Sequence, residues 1–446
     1  LGGLFMKRLS FYLAILFARI SGAILKITKL SSGTAIIGYF VLKICPDFLK
    51  IANEYITDSR INVTGTNGKT TTSAVIAHVL KNSNHNTIYN STGANMLTGI
   101  VNSISLQINP FKKAEFSVLE TDEAYLEKVY EKFGADYLVL TNLFNDQLDR
   151  FGTLNTTKQL IQNAIDMKPD LQLILNADDP FTSNMIAKNK QPIYFGVENV
   201  YYDDSAINLN SLKDETFKCH CGNDLKYSKR FYSKIGHYYC DCGYHRPEPK
   251  YKADVTIFNN HVELNINGFN YVAPVLGIFN AYNVLGAISM LLEKGISPET
   301  INEHLATYKV FTGRCEYKNL NNHKAMIQLI KNPVGATEIL KTVDLNSNIL
   351  IAINNNVSDG RDDKWINDVE FELLKNAQKE IIVSGMCAKT TAEKLEQSGC
   401  SNVKVINDLS EAVDYVATTA DNNITILPSY TALDSILKTK KLQNIK

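Results

Sequence analysis

The chain has 446 residues, 45% of them apolar, with 46 Lys plus Arg set against 46 Asp plus Glu. At about 100–200 residues per domain this length implies two or three domains, and a formal net charge of zero supplies no global field to draw the chain to nucleic acid. Eight cysteines are too few for a disulfide scaffold at this length, and four of them fall in two tight pairs, which points to metal in a reducing, cytoplasmic compartment.

The stretch from Leu4 to Leu30 is apolar and basic. Lys7 and Arg8 followed by Leu9 to Phe17 mimic the start of a secretory signal, but there is no clean cleavage site. Arg19 and Lys26 interrupt the run before it reaches the ~20 apolar residues of a span. The preferred expectation is an amphipathic helix packed on the protein. The alternative is a helix lying on the inner face of the plasma membrane, and a moment pattern does not separate the two.

From Arg60 onward short apolar runs alternate with helical patterns. Ile61 to Val63 reads as a strand, Thr71 to Leu80 as a helix, and Thr87 to Tyr89, Phe116 to Leu119, Tyr137 to Leu140 and Leu171 to Leu175 as strands. This βαβ rhythm predicts a mostly parallel sheet covered by helices. Cys219 to Cys242 lacks helical periodicity and reads as a small insertion, and Asp254 to Tyr271 alternates like strand. A second βα series begins near Lys324, with strands expected at Ala325 to Ile330, Ile349 to Ile353, Ile381 to Val383, Val403 to Ile406 and Ile424 to Leu427.

Ile61-Asn62-Val63 runs directly into Thr64-Gly65-Thr66-Asn67-Gly68-Lys69-Thr70-Thr71, and a helix follows. Strand, glycine-containing turn and helix N-terminus together make a phosphate cradle. Lys69 would bridge the β- and γ-phosphates of ATP, and the Thr70 hydroxyl would ligate Mg²⁺. The general Walker pattern would put its first glycine at Val63, so the loop is a narrower variant.

The insertion carries Cys219-His220-Cys221-Gly222 and Cys240-Asp241-Cys242-Gly243. Two such knuckles suit a closed, structural Cys₄ zinc site. Each pair has one intervening residue where two are usual, which leaves His220 or His237 as substitute ligands, or four reduced thiols with no metal.

The loop Thr-Gly-Thr-Asn-Gly-Lys-Thr resembles the signature of the Mur ligase superfamily, and further landmarks follow in order. They are Glu120 at a strand end, Asn142 to Arg150, Asn176-Ala177-Asp178-Asp179, Gly277 to Asn283, and Gly313-Arg314-Cys315-Glu316. A region of only about 60 residues before the loop, the four-cysteine insertion, Gln147 within Asp146 to Gly152, Lys331 to Gly335 and Asp359 to Ile366 are similar to the MurT branch of that superfamily. The resemblance implies an α/β fold in three parts. These are a short helical segment at 1–58, a central ATP-binding domain at 59–311 with a zinc ribbon inserted at about 216–250, and a C-terminal Rossmann-like ligase domain at 312–446.

It also implies chemistry. Lys69 and a Mg²⁺ ion on Thr70 and Glu120 would stabilise phosphoryl transfer from ATP, Asn280 would contact adenine, and Arg314 would contact ribose or phosphate. Either of the last two could instead be a structural hydrogen-bonding residue. Gln147 stands where relatives carry a metal-binding His, and Lys158 is the nearest candidate for their carbamylated lysine. Asp122 and Glu123 lie close to Glu120, and the preferred reading for both is a solvated helix start. The expected reaction is amidation of the D-Glu α-carboxylate in the lipid II stem peptide. Its ammonia would come from a separate glutaminase subunit, GatD, whose Cys-His pair Asp362 would complete, with Asp359 and Asp363 as neighbouring alternatives. The rivals are another Mur-type ligase, such as a folylpolyglutamate synthase, and a zinc-ribbon nucleic-acid module with a regulatory NTPase.

Overall fold

The computed structural model describes residues 2–28, 34–91, 94–144, 154–209, 215–309, 313–421, 423–439 and 441–444. Gln147 and the rest of Asp146 to Gly152 lie outside the described residues, and of Arg314 only the backbone is described.

Among the described residues, eleven strands lie between Ile56 and Ala273. They are β1 (Ile56–Thr64), β2 (Thr87–Tyr89), β3 (Ala114–Glu120), β4 (Tyr137–Leu140), β5 (Gln172–Asn176), β6 (Ile193–Tyr202), β7 (Lys226–Tyr232), β8 (Ile235–Tyr239), β9 (Tyr251–Ile257), β10 (Val262–Ile266) and β11 (Phe269–Ala273). Nine of these form one sheet in the order β11-β10-β9-β6-β5-β4-β1-β3-β2. From β2 to β9 every pairing is parallel, and β9-β10-β11 closes the far edge as an antiparallel meander. The central strands are buried on both faces, as a helix-covered parallel sheet requires. The stretch that alternates like strand folds into three strands, because a turn closed by Phe258 N donating to His261 O at 3.0 Å separates β9 from β10, and Asn267 and Gly268, both at positive φ, form a tight hairpin turn between β10 and β11.

The order places the crossover point at β1, with β3 on one side and β4 on the other. In register, Val63 stands beside Glu120 and Thr64 beside Leu140. The carboxyl ends of three strands therefore open at one spot, where parallel α/β sheets bind ligands.

The last third forms a second sheet from β12 (Arg314–Leu320), β13 (His323–Gln328), β14 (Asn348–Ala352), β15 (Ile381–Ser384), β16 (Val403–Val405), β17 (Ile424–Pro428) and β18 (Leu442–Asn444). Its order is β16-β15-β14-β17-β13-β12-β18, parallel through β13 and antiparallel beyond. This Rossmann-like sheet turns the segments after β13, β14 and β17 to one edge.

The helix Gly2–Thr28 buries Phe11, Ala14, Ile15 and Ala18 in a core shared with helices Thr34–Ile44 and Leu97–Gln107. It packs on the body as expected, but its opposite face stays exposed and apolar.

Candidate active site

The loop leaving β1 turns at two glycines that admit no side chain. At Gly65 (φ +124°) a Cβ would stand 2.3 Å from the Thr141 hydroxyl, and at Gly68 (φ +89°) it would stand 1.9 Å from the Asn283 amide oxygen. The loop is held from the β4 side: Thr66 N donates to Asn142 O at 2.9 Å, Asn67 N to Asn142 Oδ1 at 2.9 Å, and Phe144 N to Thr66 Oγ1 at 2.9 Å. Below, the Thr72 hydroxyl donates to Asn283 O at 3.0 Å, which ties helix Lys69–Asn82 to helix Gly277–Glu293. Asn283 donates to Asn280 Oδ1 at 3.1 Å, and Asn280 donates to Leu276 O at 2.9 Å. Asn280 is thus connected to the loop through Asn283, a residue that the sequence reading quoted in its motif without assigning it a role.

Lys69 is buried, with its ammonium 2.5 Å from Gly65 O and 3.2 Å from Glu123 Oε1. Glu123 is only 6% exposed, and Asp122, which caps the short turn by accepting from Ala124 N at 3.1 Å, is buried too. The expectation of a solvated helix start fails here: the turn after β3 folds inward across the mouth of the loop, and Glu123 becomes the partner of Lys69. Burial raises the Glu123 carboxyl above the ordinary range, and the Lys69 charge opposes that rise. The sequence signal was an acid three residues past a strand end that runs beside β1.

Glu120 ends β3, 3% exposed. Its backbone is locked to Asn90 in both directions, and Oε1 accepts from Asn95 Nδ2 at 3.0 Å. Oε2 is buried with no hydrogen-bond partner among the described residues. A carboxyl oxygen left so at the crossover point is one that a divalent cation would satisfy, and Thr70 lies in the first turn of the helix that opens at this spot.

The second sheet reaches the loop directly. Lys331 donates to Thr66 O at 3.2 Å, and Asn332 Nδ2 donates to Asn67 Oδ1 at 2.8 Å. Beside this contact lies a cleft of about 540 Å³ between the two sheets and the insertion, lined by Phe144, Phe181, Arg230, Lys234, Val334 and Glu338 among others.

In the insertion all four thiol sulfurs of Cys219, Cys221, Cys240 and Cys242 lie within 4.8 Å of one another. Cys219 and Cys242 are 3.7 Å apart and Cys221 and Cys240 3.6 Å. A tetrahedron with metal–sulfur bonds of ~2.3 Å has edges of about 3.8 Å, so the four thiols fit zinc closely. His237 is engaged elsewhere, at 2.7 Å from Val197 O. The two knuckles have matching turns, with Gly222 N bonded to Cys219 O and Gly243 N to Cys240 O, and both glycines have φ near +90°.

The β7–β8 hairpin beyond the knuckles carries Lys234 at its tip into the main body. Lys234 donates to Leu143 O, lies 3.5 Å from Asp179, and sits 3.8 Å from the centre of the Phe181 ring. Burial pulls its pKa down to about 8 against the pull of Asp179. Arg246, after the second knuckle, pairs with Asp178. The Asp178-Asp179 landmark thus serves to seat the insertion. Lys158 donates to Asn184 Oδ1 at 2.6 Å.

Asp359, Asp362 and Asp363 follow β14. Asp359 is buried and accepts from Thr431 N at 2.8 Å and Asn356 N at 3.2 Å. Asp362 is half-buried and makes only a local turn contact, accepting from Lys364 N at 2.9 Å. Arg314 opens β12 opposite Gln328.

A glycine loop at the crossover of a parallel sheet, met by a second α/β sheet, is the arrangement of a nucleotide-binding α/β protein, and its relatives place it among ligases. The Mur ligase middle domain family matches residues 63–291, and the MurT ligase C-terminal family matches residues 329–433. The chain is 34% identical over 415 residues to the "Lipid II isoglutaminyl synthase (glutamine-hydrolyzing) subunit MurT" of Staphylococcus aureus strain COL, covering 91% of this chain and 92% of that one. It is 30% identical to the protein of the same name from Streptococcus pneumoniae strain R6, again over 91% and 92%. Among solved structures, a pseudomurein peptide ligase type C from Methanothermus fervidus superposes with TM-score 0.66 at 22% identity, over 87% of this chain and 80% of that one. Folylpolyglutamate synthase of Mycobacterium tuberculosis superposes with TM-score 0.59 at 12% identity, over 89% and 94%. The chain belongs to the MurT family of the Mur ligase superfamily.

Proposed function

We propose that this chain is the ligase half of a two-subunit enzyme that amidates the D-Glu α-carboxylate of the lipid II stem peptide, leaving D-isoglutamine. The observation that carries this is a glycine loop with Lys69 and Glu120 at one strand crossover, in a chain matching MurT subunits over 91% of its length.

A carboxylate is a poor electrophile. Transfer of the ATP γ-phosphoryl group to it gives an acyl phosphate and ADP; ammonia then attacks the carbonyl carbon and inorganic phosphate leaves. The protein's task is positioning and charge stabilisation. Backbone N–H groups of Gly65 to Thr71 cradle the phosphates, and Lys69 follows the γ-phosphoryl charge while Glu123 fixes where its ammonium rests. Mg²⁺ held by Thr70 and Glu120 would neutralise charge on the phosphate oxygens. Asn280 and Arg314 are proposed for the adenine and the ribose or phosphate side. Zn²⁺ on the four cysteines would be structural, since a closed Cys₄ shell leaves no open position.

Ammonia would come from the glutaminase partner GatD. Asp359 is spent on Thr431 and Asn356, which leaves Asp362, the one we assign to that partner from its motif position, and its neighbour Asp363. The chain would work in the cytoplasm, with the exposed apolar face of its first helix against the inner face of the membrane that carries its substrate.

The test is amidation of purified lipid II followed by mass spectrometry, with ATP, Mg²⁺ and ammonium, then with the glutaminase subunit and glutamine. The expected product is lighter by about one mass unit, and Lys69→Ala lowers its rate by roughly 10²–10³-fold or more. No product under either condition, with ATP still bound, would move the assignment to another carboxylate. An amino acid added in place of ammonia would favour the folylpolyglutamate-type rival.

A further inference from the structure

The described residues include one helix long and apolar enough to cross a membrane, through Phe5–Leu25 with mean hydropathy 1.5. Its packing argues against crossing. Phe11, Ala14, Ile15 and Ala18 are buried against the body, and a spanning helix would have to give up that face.

The opposite face presents Leu9, Leu13, Leu16, Ile20, Ile24 and Ile27, between 42% and 81% exposed. Their spacings of four and three follow the helical period, so they form one straight stripe. Ile36, Tyr39 and Phe40 of the neighbouring helix Thr34–Ile44 are exposed as well, and Phe40 meets Phe17 of the first helix at 6.0 Å between ring centres. A contiguous exposed apolar area of this kind marks an interaction surface.

A second element joins it from a distant part of the sequence. Arg19 donates to Ile108 O at 2.8 Å, and Leu106 packs at Gly22, where an added Cβ would stand 3.0 Å from it. These contacts bring the turn Asn109-Pro110-Phe111-Lys112-Lys113 alongside the helix. The turn is braced by Phe111 N donating to Asn109 Oδ1 at 2.9 Å, and it holds Phe111 97% exposed, followed directly by the exposed Lys112 and Lys113.

We propose that this face docks on an anionic lipid bilayer. The helix lies flat at the boundary between headgroups and acyl chains, Phe111 inserts beside it, and Lys112 and Lys113 meet headgroup phosphates. This deepens the membrane contact proposed above and names the residues that make it. Charge selects the occupant. Every charged residue of Gly2–Thr28 is a cation (Lys7, Arg8, Arg19, Lys26); Lys7 and Arg8 pair with Asp47 and Glu54, and the turn adds the exposed Lys112 and Lys113. A second copy would bring like charges together, whereas an anionic surface complements them.

The test is flotation of the full chain with vesicles of phosphatidylglycerol or of phosphatidylcholine, without ATP or any cell-wall precursor. It therefore reads docking separately from amidation. The protein is expected to float with phosphatidylglycerol and far less with phosphatidylcholine. Leu13→Glu with Leu16→Glu, and Phe111→Asp alone, should each weaken binding by roughly tenfold or more. Lys112→Glu with Lys113→Glu should abolish the preference for the anionic lipid. Ile186→Glu, at an exposed apolar residue outside this face, serves as the control and should change nothing. All of these positions face solvent, so circular dichroism should match the parent. Failure of the parent to float, or flotation of the variants equal to it, overturns the proposal. So does a dimer by light scattering that the same substitutions break, which would make the face an interface between copies.

Discussion

At Gly68 the backbone turns through φ +89° directly against the Asn283 side chain. Gly68→Ala therefore meets two obstacles, a left-handed backbone and a clash that only movement of Asn283 relieves. We expect a loss of about 1–3 kcal/mol in stability and a larger relative loss in nucleotide affinity, checked by thermal unfolding with and without an ATP analogue. The glycines and Lys69 were readable in the sequence because the chemistry of a phosphate loop dictates residue types at short spacing. Glu123 was not. Its pairing with Lys69 spans 54 positions in the chain, and a local reading of an acid after a strand end favours solvent. Nor could the sequence separate Asp359 from Asp362, which differ only in what the fold brings next to each.

Helix Pro333–Leu340 joins the second sheet to the cleft and carries Glu338, buried beside Lys341 at 2.5 Å. Burial raises the Glu338 pKa to about 7, from an ordinary value of 4.5. The folded chain thus binds this proton more tightly than the unfolded chain does. Stability from this group is present below pH 4.5 and declines as pH rises towards 7. Glu338→Gln should remove that slope, on the order of 1–3 kcal/mol between the two ends, as read by urea unfolding across the range. At the level of elements, the parallel strands were legible as short apolar runs, since burial on both faces demands them. The β7–β8 hairpin and β12 were not. Lys226–Tyr232 is mostly polar, and β12 pairs with β13 through an Asn321-Asn322 turn at positive φ that periodicity does not register.

Over the whole molecule, three separate stretches of chain converge on one loop. Lys331 and Asn332 reach it from the second sheet. Asn142 and Phe144 brace it from β4. Lys234, at the tip of the insertion, holds the carbonyl of Leu143 that lies between them. The cysteine pairs predicted a metal site, and nothing in their spacing indicated that the hairpin they anchor would end against Leu143, beside the residues that brace the glycine loop. Zinc on the four thiols and nucleotide on the loop would be linked through that hairpin, and their occupancies would obey thermodynamic reciprocity: whatever factor zinc contributed to nucleotide affinity, nucleotide would return to zinc. With favourable coupling on the order of 1 kcal/mol, a chelator at equilibrium is expected to need a several-fold higher concentration to remove the metal when a non-hydrolysable ATP analogue is bound. Lys234→Met should erase the difference while leaving the four thiols in place, measured with a zinc-responsive dye. In a cell short of zinc, the copies engaged with ATP would then be the last to surrender it.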